Sequence, residues 1–185
     1  MNAWINLKSK IPYEDSNFIL IIDALLFQCP SSYAKSSKLV SYRSNSFRDR
    51  KIEKEMLIRL LTIIKKLFNN ASFKCFEKNE DVGEELDKYL KANKTFKDED
   101  FEIVFFSKHS DMSIAESFYY CLRNSLAHGA FEIKESKHGK IYLFENRKEG
   151  KIKARMRIKE KTMLDLVEIS KIKKSVLEKS RKKKK

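Results

Sequence analysis

Residues 113–133 read SIAESFYYCLRNSLAHGAFEI, and the change of period inside this stretch decides the expected architecture. At about 100° per residue, Ala115, Phe118, Tyr119, Leu122 and Leu126 share one stripe. Ser113, Glu116, Ser117, Tyr120, Arg123, Asn124 and His128 occupy another arc. The spacing predicts an amphipathic helix from about Ser113 to His128. Asp111 lies near its start, and Gly129 stands where a left-handed residue commonly ends a helix. After Gly129 the period becomes alternating. Phe131 and Ile133 form an apolar pair, and Ile141 to Phe144 makes a strand-like run beyond Gly139. Ile152, Ala154, Met156 and Ile158 then alternate with Lys151, Lys153, Arg155, Arg157 and Lys159, a strand pattern with one buried and one basic face. Glu145 to Gly150 supplies turn residues, so a small antiparallel β-hairpin or meander is expected near the C-terminus.

Working outward, three earlier helices are expected. The first spans about Ser16 to Cys29, with Asp15 or Ser16 as N-cap and Pro30 beyond its end. The second runs from about Arg50 to Asn69, where Ile52, Met56, Leu60, Ile63, Ile64 and Leu67 recur at three- and four-residue steps. The third covers Asp81 to Lys94, with Gly83 weakening its start. Residues 31–49 read as an irregular connection, and the apolar run Phe101 to Phe106 is left unassigned by periodicity. Thr162 with Asp165 resembles a capping box opening a last helix. Four Gly and two Pro among 185 residues argue for few turns and little sheet, and 42% hydrophobic with 36% charged residues suits amphipathic helices. The expected fold is mainly α, a helical bundle with the small hairpin appended. It forms one domain over residues 1–178, followed by a basic, disordered tail over 179–185.

Composition removes several function classes. Cys29, Cys75 and Cys121 show no CxxC or Cys/His spacing, so they read as buried thiols in a reducing compartment, with no metal or other cofactor expected. Residues 1–12 lack the apolar core of a secretory signal. The strongest apolar run, Phe18 to Phe27, holds ten residues and includes Asp23, short of the ~20 that cross a bilayer. A cytoplasmic protein without a membrane partner is expected. No Gly-rich phosphate loop, metal-binding His/Asp cluster or GxSxG elbow occurs. The net charge of +14 is uneven: residues 1–133 carry 20 Lys/Arg against 19 Asp/Glu, residues 134–159 ten against three, and 171–185 nine against one. Such a basic last third suits a polyanion, RNA above all, with Lys151, Lys153, Arg155, Arg157 and Lys159 binding its backbone without reading bases.

The polar arc ends in Arg123-Asn124-Ser125-Leu126-Ala127-His128-Gly129. On a helix Arg123 and His128 stand about 140° apart with Asn124 between them in angle. Asn124 and His128 are an i, i+4 pair, so the amide can orient the imidazole. RNA is cut without metal when its 2′-hydroxyl attacks the adjacent phosphorus, which needs a proton relay and a cation for the phosphate oxygens. Histidine, which titrates near neutrality, suits the first task, and arginine's fixed fork of donors suits the second. In a purely structural reading, His128 bonds the last helix carbonyls and Arg123 pairs with Glu116. His109 and His138 lie in loop-like settings and read as surface residues.

The Arg-Asn-x-x-x-His segment resembles the HEPN superfamily, helical domains marked by an Arg, a following polar residue and a His four to six residues after the Arg. The resemblance covers the motif helix closely and the preceding helices loosely. It implies a HEPN-like helical domain that is a metal-independent endoribonuclease, with Arg123 and His128 catalytic and Asn124 supporting. Relatives that add an acidic residue point to Glu116, Glu53 or Glu55. The resemblance also implies a homodimer and a role as a toxin of a toxin–antitoxin pair or an antiviral-defence effector. Tyr120, Ala127 and Leu126 would give the polar face the apolar margin that a two-fold contact covers. The alternative is a non-catalytic HEPN module that binds RNA or partners an antitoxin or a nucleotidyltransferase.

Overall fold

A computed structural model describes residues 4–6, 11–30, 52, 54–68, 72–77, 80–92 and 101–173. Within it, the strands β1 (Phe73–Phe76), β2 (Ile103–Ser107), β3 (Phe131–Ser136), β4 (Gly139–Lys148) and β5 (Lys151–Lys159) form a mixed sheet in the order β1-β2-β5-β4-β3. β1 and β2 are parallel, and the other neighbours are antiparallel. The helices are α1 (Ser16–Ile22), α2 (Lys54–Leu67), α3 (Val82–Ala92), α4 (Ile114–Ala127) and α5 (Glu160–Ser170), and α1 continues into a π-helical turn at Asp23–Phe27.

Helices cover both faces of the sheet. On one face, Val82 and Leu86 of α3 pack on Ile103 and Phe105, with Trp4, Tyr89 and Ile152 around them. On the other, α1, α2, α4 and α5 share a larger core with Val104, Phe106, Tyr142, Phe144, Ala154, Met156 and Ile158. Phe118, Tyr119 and Leu122 anchor α4 there at 0% exposure, each burial worth about 1.5–3 kcal/mol. The Tyr119 hydroxyl also donates to the Leu166 carbonyl at 2.8 Å.

This α/β architecture overturns the expectation of a mainly α helical bundle with an appended hairpin. β5 is the middle strand, flanked by β2 and β4, so the C-terminal strands are integral to one sheet. The missed strands carried no alternating pattern for physical reasons. β1 is four residues long, and all five residues of β2 are buried because both its faces are covered. Parallel strands are joined by a crossover, here through α3, and need no Gly or Pro turn. Few turn residues therefore did not mean little sheet.

Smaller corrections follow the same logic. α5 starts at Glu160, directly after β5, with no side-chain cap; Thr162 is buried inside the helix and does not open it. Gly83 sits within the first turn of α3 because a Cβ there would meet Ile152 Cδ1 at 2.5 Å. Among the described residues, no helix is long and apolar enough to cross a membrane. Glu53, the connection over 31–49 and the basic tail over 179–185 lie outside the described residues.

Candidate functional site

Local chemistry fixes both ends of α4. At its start Ser113 Oγ accepts from Glu116 N–H at 3.2 Å, while Ser113 N–H and Oγ–H each donate to Glu116 Oε2 at 2.9 Å. This reciprocal capping box satisfies donors that a helix start leaves open. At its end His128 is the C-cap, its N–H bonded to the Asn124 carbonyl at 3.0 Å. Gly129 follows at φ 65°, a left-handed conformation that costs glycine nothing. Ala130 N–H closes the turn on the Ser125 carbonyl at 2.8 Å, and Glu145 N–H bonds the Ala130 carbonyl at 3.0 Å, delivering the chain to β3 beside β4. The exposed His128 side chain is thus held at a stiff corner.

A cleft of about 500 Å³ opens along this flank of α4. Tyr120, Cys121, Asn124 and His128 form one wall; residues 107–110, between β2 and α4, form a second. The third is the β4–β5 end, with Asn146, Arg147, Lys148, Glu149, Lys151 and Lys153. Five Lys/Arg stand against one carboxylate, so the cleft attracts anions.

A β-bulge arms the third wall. Asn146 pairs with Ala154 and Arg147 with Ile152, which leaves Lys153 as an extra residue. The extra residue breaks the alternation of β5: Ile152 packs with the α3 cluster, whereas Ala154, Met156 and Ile158 pack on the opposite face. Lys151 and Lys153 both come to line the cleft, the kind of re-aiming for which bulges recur near functional sites. The hairpin closes through Glu149 at φ 52° and Gly150 at φ 74°, two successive positive φ values as a type I′ turn requires.

Of the described residues expected at the site, Asn124, His128, Lys151 and Lys153 meet at this cleft; the others do not line it. Arg123 is half-buried beside it. Its Nη1 donates to Asn124 Oδ1 at 3.3 Å, and its Nε is buried without a hydrogen-bond partner among the described residues. Glu116, 8% exposed, is committed to the cap and so is not paired with Arg123. Glu55 is exposed on α2. Arg155 is held from the opposite face, its Nε donating to the buried Glu145 at 2.8 Å and its guanidinium 5.7 Å above the Trp4 ring. Arg147 donates to the other oxygen of Glu145 at 2.6 Å. Arg157 Nε donates to the Phe101 carbonyl at 3.0 Å, and Lys159 ends β5 next to α5 with its N–H on Glu102. The even basic face expected of β5 is therefore divided, two lysines at the cleft and two arginines in structural contacts.

The cleft also contains groups that sequence reasoning missed. Lys108 and His109 come from the β2–α4 connection, and Arg147 and Lys148 from β4. His109, which had read as a surface residue, donates its N–H to Ser117 Oγ at 3.0 Å and packs its ring on Tyr120. Only spatial proximity reveals these members; no local spacing marks them. Cys121 is no nucleophile at neutral pH: burial pushes its thiol up to about 12, although Asn146 bonds to it and Lys153 pulls the other way. Among the described residues, no group of three His, Cys, Asp or Glu is arranged to hold a metal ion.

No family model, curated protein or solved structure matches the chain. The HEPN resemblance rests on residues 123–129 themselves.

Proposed function

We propose that the protein binds RNA in this cleft and cleaves it by attack of the 2′-hydroxyl on the adjacent phosphorus. The observation that carries the reading is the placement of His128 and Asn124 in one cleft with Lys108, Arg147, Lys148, Lys151 and Lys153. Lysines neutralise the phosphodiester backbone and hold it against the end of α4. In the reaction the O2′–P bond forms as the P–O5′ bond breaks, the 2′-proton leaves, and the 5′-oxygen gains one. His128 relays that proton, and the lysines stabilise the charge that builds on the phosphate oxygens. Arg123 does not line the cleft and acts through Asn124, as a positioning residue.

The test is the purified 185-residue protein with single-stranded RNA in excess EDTA. Cleavage is expected, with products ending in 2′,3′-cyclic phosphate and 5′-hydroxyl. His128→Ala should lower the rate by at least ~100-fold, with a stability change under ~1 kcal/mol because the side chain is exposed. Cutting that requires added Mg²⁺, or a folded His128→Ala protein that cuts at the wild-type rate, sinks the mechanism.

A second reading, RNA binding without cleavage, is favoured by the position of Arg123 outside the cleft lining. Binding without product in the same assay selects it. The toxin or antiviral-defence role and an antitoxin or nucleotidyltransferase partner come from the resemblance alone, the homodimer from the resemblance and an apolar margin, and the cytoplasmic location from composition and the missing secretory signal. Leu126, expected on the dimer-facing margin, is instead a core residue at 5% exposure. Sedimentation at about twice 21.9 kDa would support the dimer, and a clean monomer at micromolar concentration would remove it.

A further inference from the structure

The cleft holds an aromatic pair that the cleavage reading leaves unused. His109 and Tyr120 meet edge to face, with ring centroids 5.4 Å apart at 69°. Both line the cleft and both are half-buried. An edge-to-face contact engages a face of just one of its two rings. The bond from His109 N–H to Ser117 Oγ anchors the loop three residues before Tyr120 on α4. Two residues upstream of His109, Ser107 is 7% exposed, lies on the cleft lining, and its Oγ has no hydrogen-bond partner among the described residues. A buried hydroxyl in that state is costly unless something from outside the chain completes it.

Cations flank this corner: Lys108 adjoins His109 in sequence, and Lys151 and Lys153 line the facing wall. Aromatic rings interleaved with lysines match the two needs of a single strand, in which cations follow the backbone and ring faces stack unpaired bases. A duplex, whose bases are already stacked and paired, gains nothing from the rings. We propose that His109, Tyr120 and Ser107 form a nucleobase subsite, in which one unpaired base stacks on the ring pair and meets Ser107 Oγ at its polar edge. The inference rests on the RNA reading above and narrows its ligand to single-stranded RNA. Eight residues of helix separate Tyr120 from His128, about 12 Å along the axis, with Asn124 midway. A base held at Tyr120 therefore lies to one side of the phosphate that His128 would serve.

The test compares binding of a fluorescent 2′-O-methyl oligoribonucleotide, which cannot be cleaved, with that of an abasic strand of equal length and charge. Wild-type protein should prefer the base-bearing strand by about tenfold or more. Tyr120→Ala, shown folded by its melting curve, should lower base-bearing affinity to the abasic level. Tyr120→Phe should keep the preference, and Ser107→Ala should change which base is favoured. Annealing the probe to its complement should erase the effect of Tyr120→Ala. Tight, salt-sensitive binding of both strands with no preference, or full preference in Tyr120→Ala, overturns the subsite while RNA binding stands. Failure to bind either strand overturns both.

Discussion

Arg123 Nη1 donates to Asn124 Oδ1 across 3.3 Å, while Arg123 Nε lies buried with no partner among the described residues. The guanidinium is thus incompletely satisfied in a half-buried position, an expensive arrangement for a residue with no other task. In the proposed mechanism its task is to hold the Asn124 amide at the cleft.

Replacing Arg123 by Met keeps most of the stem and removes the unpaired Nε. Folding stability should stay level or rise by up to ~1–2 kcal/mol, while RNA cleavage falls. The same substitution in an Asn124→Ala background should cost little further activity, because the two act as one unit. Urea melts and a double-mutant cycle give both readouts. A loss of stability above ~1 kcal/mol, or fully additive losses of activity, contradicts the positioning role.

The split of the basic strand separates binding from folding. Lys151→Ala and Lys153→Ala should each reduce the salt slope of single-stranded RNA binding by about 0.7 and move stability by no more than ~0.5 kcal/mol. Arg155→Ala removes one of the two arginines bonded to Glu145, whose side chain is 8% exposed, and should cost about 1–3 kcal/mol, because Arg147 stays on the other carboxylate oxygen. Isothermal denaturation beside a salt titration distinguishes the two classes. Equal behaviour of Lys153 and Arg155 in both assays would restore an undivided basic face.

Glu149 occupies a left-handed conformation at φ 52° in the β4–β5 turn, against the preference of a glutamate. Glu149→Asn should raise stability by ~0.5–1 kcal/mol, since Asn-Gly suits a type I′ turn. It also deletes the one carboxylate on the cleft lining, so RNA binding should tighten. A destabilised Glu149→Asn protein would mean that the turn depends on the glutamate side chain.

Gly83→Ala should destabilise by ~1–3 kcal/mol even though alanine is the better helix former, because its Cβ would lie 2.5 Å from Ile152 Cδ1. Ile152→Val removes that methyl and should recover most of the loss in the double variant. If the double variant is no better than the sum of the singles, the contact is not the reason for the glycine.

Alkaline pH should unfold the protein through its buried acids. Burial raises Cys121 from 9.0 to about 12 and Cys75 to about 11. Above pH 9 the unfolded thiols lose protons that the folded ones keep, so stability present below pH 9 drains away as pH rises. Cys121 contributes about 1.4 kcal/mol per pH unit between 9 and its folded value. Tyr142, raised by burial and by Glu160, adds to the fall above pH 10. Urea midpoints at pH 8 and 10.5 should differ, and less so in Cys121→Ala. Identical midpoints in the wild-type protein would show that these thiols are not protected.

The most legible signals were local ones. The apolar stripe through Ala115, Phe118, Leu122 and Leu126 and the glycine at 129 mark α4, because i, i+4 packing and a left-handed C-terminus involve only neighbours in the chain. The box formed by Ser113 and Glu116 is equally legible in its spacing, but Thr162 and Asp165 share that spacing and cap nothing, so the pattern alone does not tell a cap from a helix interior. The sheet was partly legible: alternation marks β3, β4 and β5 and their antiparallel succession, but β1 and β2 escape it, since β2 pairs with residues about fifty positions away and is covered on both faces. The site was half legible. Asn124 and His128 share a helix, but His109, Lys108, Arg147 and Lys148 arrive from other elements, and a single extra residue at Lys153 decides which cations of β5 reach the cleft. Helical period is a property of the local chain, whereas strand pairing, bulges and the meeting of distant loops are set by long-range contacts that no window of sequence contains.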